Sequence, residues 1–199
     1  MPPDAAPPGL ADTAEDWPVV ASEDVYRGPA PFAVRSDTLH HPDDGTDDAF
    51  SRIVVEHPGA AVVLAIDDDE RVLVVVQYRH AARRRFVELP AGLLDKPGED
   101  PEGAARRELL EETGYRAESW THLGSTWSSP GVTAEVIHLY LARGLSPEDR
   151  GDFVAQHEEA DMHVYWLPLV DLVDSVLEGT IADAPVVNAV LLARAKGLL

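Results

Sequence analysis

An α/β fold with a mixed sheet between helices, preceded by a small antiparallel β subdomain, follows from three features of the sequence. Two apolar runs, Ala60 to Ile66 and Val72 to Gln77, are continuous rather than alternating, as in strands buried on both faces. A helix with chemically marked ends follows over 101 to 113, and after it come further strands and then helical patterns. Ahead of all these, short β-prone runs lie within Val19 to Arg35 and Phe50 to Glu56, separated by the polar turn stretch His41 to Asp48. A chain of 199 residues, 45% of them hydrophobic, fits one domain of ordinary size with a real core.

Taken in order, residues 1–18 are rich in Pro, Ala and Asp without a basic segment leading into an apolar run, so a disordered leader is expected rather than a secretory signal. Residues 19–57 form the β subdomain and residues 58–199 the main domain. The two apolar runs, joined by Asp67-Asp68-Asp69-Glu70, read as a hairpin at the centre of the sheet. The arginines that follow, Arg79 and then Arg83 to Arg85, have guanidinium forks that match phosphate oxygens. Arg79 is assigned to substrate. For the other three, phosphate binding and pairing with the chain's own carboxylates stay open. Beyond the helix, Trp120 to Trp127 and Val136 to Ala142 read as strands flanking the loop Ser128 to Glu135. Residues 146–161 are a polar, acidic loop, and His163 to Leu167 a strand. Leu169 to Leu177 and Ala184 to Ala195 are helical, broken by Gly179 and re-initiated near Asp183 and Pro185.

Charge narrows the partners. Sixteen basic against 36 acidic residues leave a formal net charge of −20, which argues against nucleic acid and for metal ions and small ligands. The chain has no cysteine, which excludes disulfides and thiolate metal sites. No apolar stretch approaches the roughly 20 residues that span a bilayer. A soluble cytoplasmic protein is expected.

The helix carries the chemistry. Asp100 stands at the N-cap, Pro101 at the first helical position and Gly114 at the C-terminal stop. At 3.6 residues per turn, Glu112 lies about 40° from Glu108 and Glu111 about 60° to its other side, so three carboxylates share a stripe. Their mutual repulsion calls for a cation. Oxygen donors without histidine favour a hard ion, Mg²⁺ first. A solvated acidic face is the alternative for such a helix, and the loop before it decides between them.

That loop and helix resemble the Nudix box, the signature of the Nudix hydrolase family. Gly92, Glu99, Arg107, Glu108, Leu109, Glu111, Glu112, Gly114 and Tyr115 supply every specified residue. Six residues rather than five separate Gly92 from Glu99, and the extra one falls ahead of the helix, so the later spacing is kept. The resemblance implies an α/β/α sandwich, with Mg²⁺ (Mn²⁺ substituting) held by Glu108, Glu111, Glu112 and the Ala91 carbonyl. It also assigns Glu99 and Arg107 to an ion pair that holds loop to helix.

Within the family the chain looks like the ADP-ribose pyrophosphatases. Val55 to Ala60, Gln77 to His80, Glu88 to Gly92, Glu158 to Met162 and Pro130, fifteen positions after Tyr115, carry this likeness. It implies hydrolysis of ADP-ribose to AMP and ribose 5-phosphate, with Arg79, Glu88, Pro130 and Gly131 on the substrate and Glu159 as general base and further metal ligand. Glu158 and Asp161 are the alternates for the base. It also implies a homodimer whose N-terminal strands exchange. Another nucleoside diphosphate sugar or a nucleoside triphosphate is the competing substrate class, and a non-catalytic ADP-ribose sensor the competing role. The full set of box glutamates and the absence of a basic extension favour the enzyme.

Overall fold

The computed structural model describes residues 6, 9–42, 48–151 and 161–199. Strands β1 (Val19–Arg27), β2 (Ala33–Leu39) and β3 (Phe50–Glu56) form an antiparallel sheet in that order. The chain continues through β4 (Ala60–Ala65), β5 (Arg71–Arg79), β6 (Arg84–Glu88), β7 (Ala91–Leu93) and helix α1 (Pro101–Thr113). It ends with β8 (Tyr115–Trp127), β9 (Val136–Pro147), β10 (His163–Pro168), α2 (Leu169–Glu178) and α3 (Ala184–Ala195). One antiparallel sheet has the order β10-β5-β6, and a mixed sheet has the order β7-β4-β9-β8 with β4 and β9 parallel.

The period of a strand explains the layers. On β4, Val62 and Leu64, with Ile66 just beyond, share a buried cluster with Val186, Ala189, Val190 and Ala193 of α3. The intervening Ala61, Val63 and Ala65 share a second one with Ala104, Ala105 and Leu109 of α1. Strand β5 divides likewise, Val72 and Val74 to the first cluster and Leu73 to the second. Strands covered by helices on both faces have no polar face, which is why both runs are apolar throughout. Each fully buried Leu or Ile among them contributes about 1.5–3 kcal/mol.

The hairpin expected over residues 60–77 is corrected by the pairing. β4 and β5 are consecutive and buried, but they meet only at the isolated antiparallel bridge Ile66–Val72 and then enter different sheets. A strand has two hydrogen-bonding edges. Those of β4 are taken by β7 and β9, and those of β5 by β6 and β10. β8 and β9 also run longer than their apolar cores suggest, starting directly after α1 and ending at Pro147.

Helix α1 ends where its local chemistry places the ends. Asp100 accepts the Gly103 N–H at 2.7 Å, Pro101 opens the helix, and Gly114 at φ 74° donates its N–H to Leu110 O at 2.8 Å. The left-handed conformation at Gly114 suits a residue without Cβ. The N-terminal sheet is tied to the main body through β3, where Val55 N–H donates to Val132 O (2.7 Å) and Val55 O accepts from Ala134 N–H (3.1 Å). Among the described residues no helix is long and apolar enough to cross a membrane.

Candidate active site

A cavity of about 1090 Å³ opens beside α1, lined by Ala60 and Val62 of β4, Gln77 and Arg79 of β5, Glu88 of β6, residues 91–93, and Glu108, Glu111 and Glu112 of α1. Asp183 and Pro185 at the start of α3 also line it, as do Phe32, His57, Tyr78 and Phe86. The stripe expected on the helix is therefore a wall of the cavity. Its closeness to the preceding loop depends on Gly92, where a β-carbon would collide with the Glu108 carboxyl. Glu112 is buried and accepts the Ala91 N–H at 3.0 Å.

Arg107 ties this wall together. Its Nε and Nη2 donate to Glu99 at 3.0 and 2.9 Å, and its Nη1 donates to Glu108 and, at 3.0 Å, to Glu111. The pair expected between Glu99 and Arg107 is present, and the same guanidinium also serves two carboxylates of the stripe. Lys96 adds a second cation, 3.6 Å from Glu111. Burial pushes the Glu108 carboxyl above its ordinary range, with Arg107 opposing, whereas the hydrogen bond from Arg107 holds Glu99 below its own.

A second group lines the cavity from the β5–β6 ladder. Arg79 donates Nε and Nη2 to the two oxygens of Glu88 at 2.9 and 2.6 Å, and Gln77 Nε2 donates to Glu88 at 2.9 Å. Gln77 and Arg79, two apart on one strand, share a face, and Glu88 is a diagonal neighbour of Gln77 across the ladder. Arg79 and Glu88, both assigned to substrate from the sequence, thus orient each other.

Asp183 also lines the cavity, although the sequence marks it only as a residue near which the last helix starts. It caps α3, accepting the Val186 N–H at 3.3 Å. Its carboxyl is pushed up to about 6, by burial first and by Glu88 second, against the Val186 N–H and Arg79. The fold therefore holds this proton more tightly than the unfolded chain, where the group titrates near 3.8. Below that value both states are protonated and the group leaves stability unchanged; as pH rises toward 6 the unfolded chain ionises first and stability falls. Asp183→Asn keeps a capping acceptor and removes the ionisation. It is expected to melt above the parent chain at pH 8, by on the order of 1 kcal/mol after allowance for solvent screening, and to lose that advantage at pH 4. Equal melting temperatures at pH 8 would show that the carboxylate is well solvated.

Other expected residues lie elsewhere. Pro130 and Gly131 are exposed and do not line this cavity, because the loop carrying them is drawn to β3 by the Val55 hydrogen bonds. Of the open arginines, Arg85 pairs with Asp161, while Arg83 N–H closes a turn onto His80 O at 3.1 Å. Glu158 and Glu159 lie outside the described residues.

The donor set fits a hard divalent ion. Three carboxylates and a backbone carbonyl offer oxygen alone, and the missing Cβ at Gly92 lets Glu108 approach the loop. Among the described residues no three acidic or histidine side chains already stand in a ligating array. Arg107 holds Glu108 and Glu111, and the Ala91 amide holds Glu112, so a guanidinium supplies positive charge beside the stripe.

A capped helix presenting glutamates to a glycine loop, beside a mixed sheet covered on both faces, defines a class of protein. The NUDIX domain model matches residues 55–190, and the chain belongs to the Nudix family. It is 41% identical over 180 residues to the ADP-ribose pyrophosphatase of Mycobacterium tuberculosis (strain ATCC 25618 / H37Rv), covering 90% of this chain and 84% of that protein. It is 42% identical over 139 residues to the methanol dehydrogenase activator of Bacillus methanolicus, covering 70% and 74%. The crystal structure of an ADP compounds hydrolase matches with a TM-score of 0.73 at 25% identity, over 94% of this chain and 98% of that one.

Proposed function

We propose that this protein hydrolyses the pyrophosphate bond of ADP-ribose to AMP and ribose 5-phosphate, using Mg²⁺ with Mn²⁺ as a substitute. The observation that carries this reading is the convergence of Ala91, Glu108, Glu111 and Glu112 on one wall of a cavity of about 1090 Å³. That volume is at the upper end of ligand pockets, roughly 300–1,000 Å³. The likeness to the mycobacterial pyrophosphatase over most of both chains adds the substrate.

Ala91 O, Glu108, Glu111, Glu112 and Glu159 would hold the ion. When bound, Mg²⁺ neutralises diphosphate oxygens and lowers the pKa of a coordinated water. Glu159 accepts the proton of the attacking water as its oxygen bonds to phosphorus and the bridging P–O bond breaks. Arg79, oriented by Glu88, offers its remaining N–H groups to a phosphate oxygen. Product analysis of a panel of nucleotide sugars, dinucleotides and triphosphates with Mg²⁺ tests the assignment. ADP-ribose should be turned over with the highest kcat/KM, and a triphosphate at the head of the panel would overturn it.

Gly92→Ala should separate site from fold. The added methyl collides with the movable end of the Glu108 side chain rather than with backbone, so the melting temperature should barely change. Turnover should fall roughly 10²-fold, the size of effect a misplacement of about 1 Å produces. Normal turnover in this variant would detach Glu108 from the reaction.

The assembly proposed is a homodimer joined through the N-terminal strands. β1 is exposed along its whole length, and Val19, Val20, Val25, Tyr26, Phe32 and Ile53 present apolar surface that a second copy would cover. Light scattering should give twice the chain mass. A monomer with full activity at working concentration would sink this assembly.

A further inference from the structure

Asp183 stands in the cavity, and neither the family motif nor the stripe on α1 accounts for it. Its surroundings state what it can receive. The charged groups facing it are Glu88 of β6 and Arg79 of β5, and Arg79 is already bonded to both oxygens of Glu88. Two carboxylates against one guanidinium leave the Asp183 side net anionic, so the diphosphate lies toward the α1 wall and the remaining N–H groups of Arg79, where cations offset its charge. Hydrogen-bond donors on a neutral group suit the Asp183 side instead. Among the described residues its hydrogen-bond donor is the Val186 N–H, and a carboxylate has about four lone-pair sites. The aromatic faces of Phe32, Tyr78 and Phe86 elsewhere in the lining suit a flat base, which leaves the sugar hydroxyls for Asp183.

We infer that Asp183 is a specificity-determining residue that accepts hydrogen bonds from the hydroxyls of the sugar leaving with the non-adenylate phosphate. This rests on the proposed hydrolysis of ADP-ribose and adds the residue that distinguishes a sugar from another diphosphate substituent. A site built to pair a hydroxyl discriminates against an analogue lacking it, because its own polar group is then left unpaired. The position suits the task. Asp183 is fixed by its capping bond and followed by Pro185, so its carboxyl is held before substrate arrives.

Asp183→Asn and Asp183→Ser both retain a capping side chain, so the fold is kept while the carboxylate is lost. With Mg²⁺, each should raise KM for ADP-ribose roughly tenfold or more, the worth of hydrogen bonds to a charged group, with kcat changed little. KM for the ethyl ester of ADP, which has no second sugar, should be unchanged. Calorimetry should show ribose 5-phosphate binding weakened by a similar factor and AMP binding unaltered. An equal rise in KM for both compounds would reduce Asp183 to a general electrostatic role, and weakened AMP binding would move its contact to the nucleoside. Either result overturns the inference while leaving the hydrolase reading intact. A wild-type chain that cleaves neither compound removes the parent reading and this inference with it.

Discussion

Glu108→Gln and Glu112→Gln are each expected to lose most turnover, roughly 10²-fold or more, the size of effect that follows removal of one charge-stabilising group from an active site. Each removes an anionic oxygen from the proposed ion site while keeping the shape of the side chain. The fold should persist. Glu108 is buried enough that its carboxyl is pushed upward, so losing the charge relieves desolvation and repulsion from Glu111 together. At position 112 a glutamine oxygen can still accept the Ala91 N–H. The melting temperature without divalent ion should therefore hold or rise slightly. The stabilisation that Mg²⁺ gives the parent chain should shrink in both variants, by the linkage between binding and folding. Near-normal activity with Mg²⁺ in either would remove that glutamate from the ion site.

Glu159→Gln is expected to lower kcat by about 10²–10⁴ with KM little changed, the range for a lost general base. Metal coordination lowers the basicity of the box glutamates, whose places on α1 are fixed, so a carboxylate from outside α1 that keeps one oxygen free of the ion is the better proton acceptor. Resemblance places the role on the second glutamate of Glu158-Glu159, and Glu158→Gln should cost much less. Asp161, the other alternate, is held by Arg85 with its carboxyl below the usual range, which makes it a poor base in that pairing. A Glu159→Gln enzyme impaired only in KM would transfer the role to a neighbour.

By itself the sequence determined what depends on a few consecutive residues. The ends of α1 are set by Asp100, Pro101 and Gly114, each acting within one turn, and the shared stripe of Glu108, Glu111 and Glu112 follows from the helical period. The continuous apolar runs of β4 and β5 marked strands covered on both faces for the same reason. Only the tertiary structure decided which strands pair. Ala60–Ala65 has the same side chains whether its edge is offered to β5 or to β9, and that choice is settled by hydrogen bonds between segments far apart in the chain. The tertiary structure likewise decided that Arg107 spans Glu99, Glu108 and Glu111 together, and that the loop with Pro130 and Gly131 sits on β3 rather than in the cavity. Asp183 shows the same division within one residue. As a helix cap it acts on an amide three positions away and was legible, whereas its place beside Glu88 and Arg79 arises from the packing of α3 near strands about a hundred residues earlier.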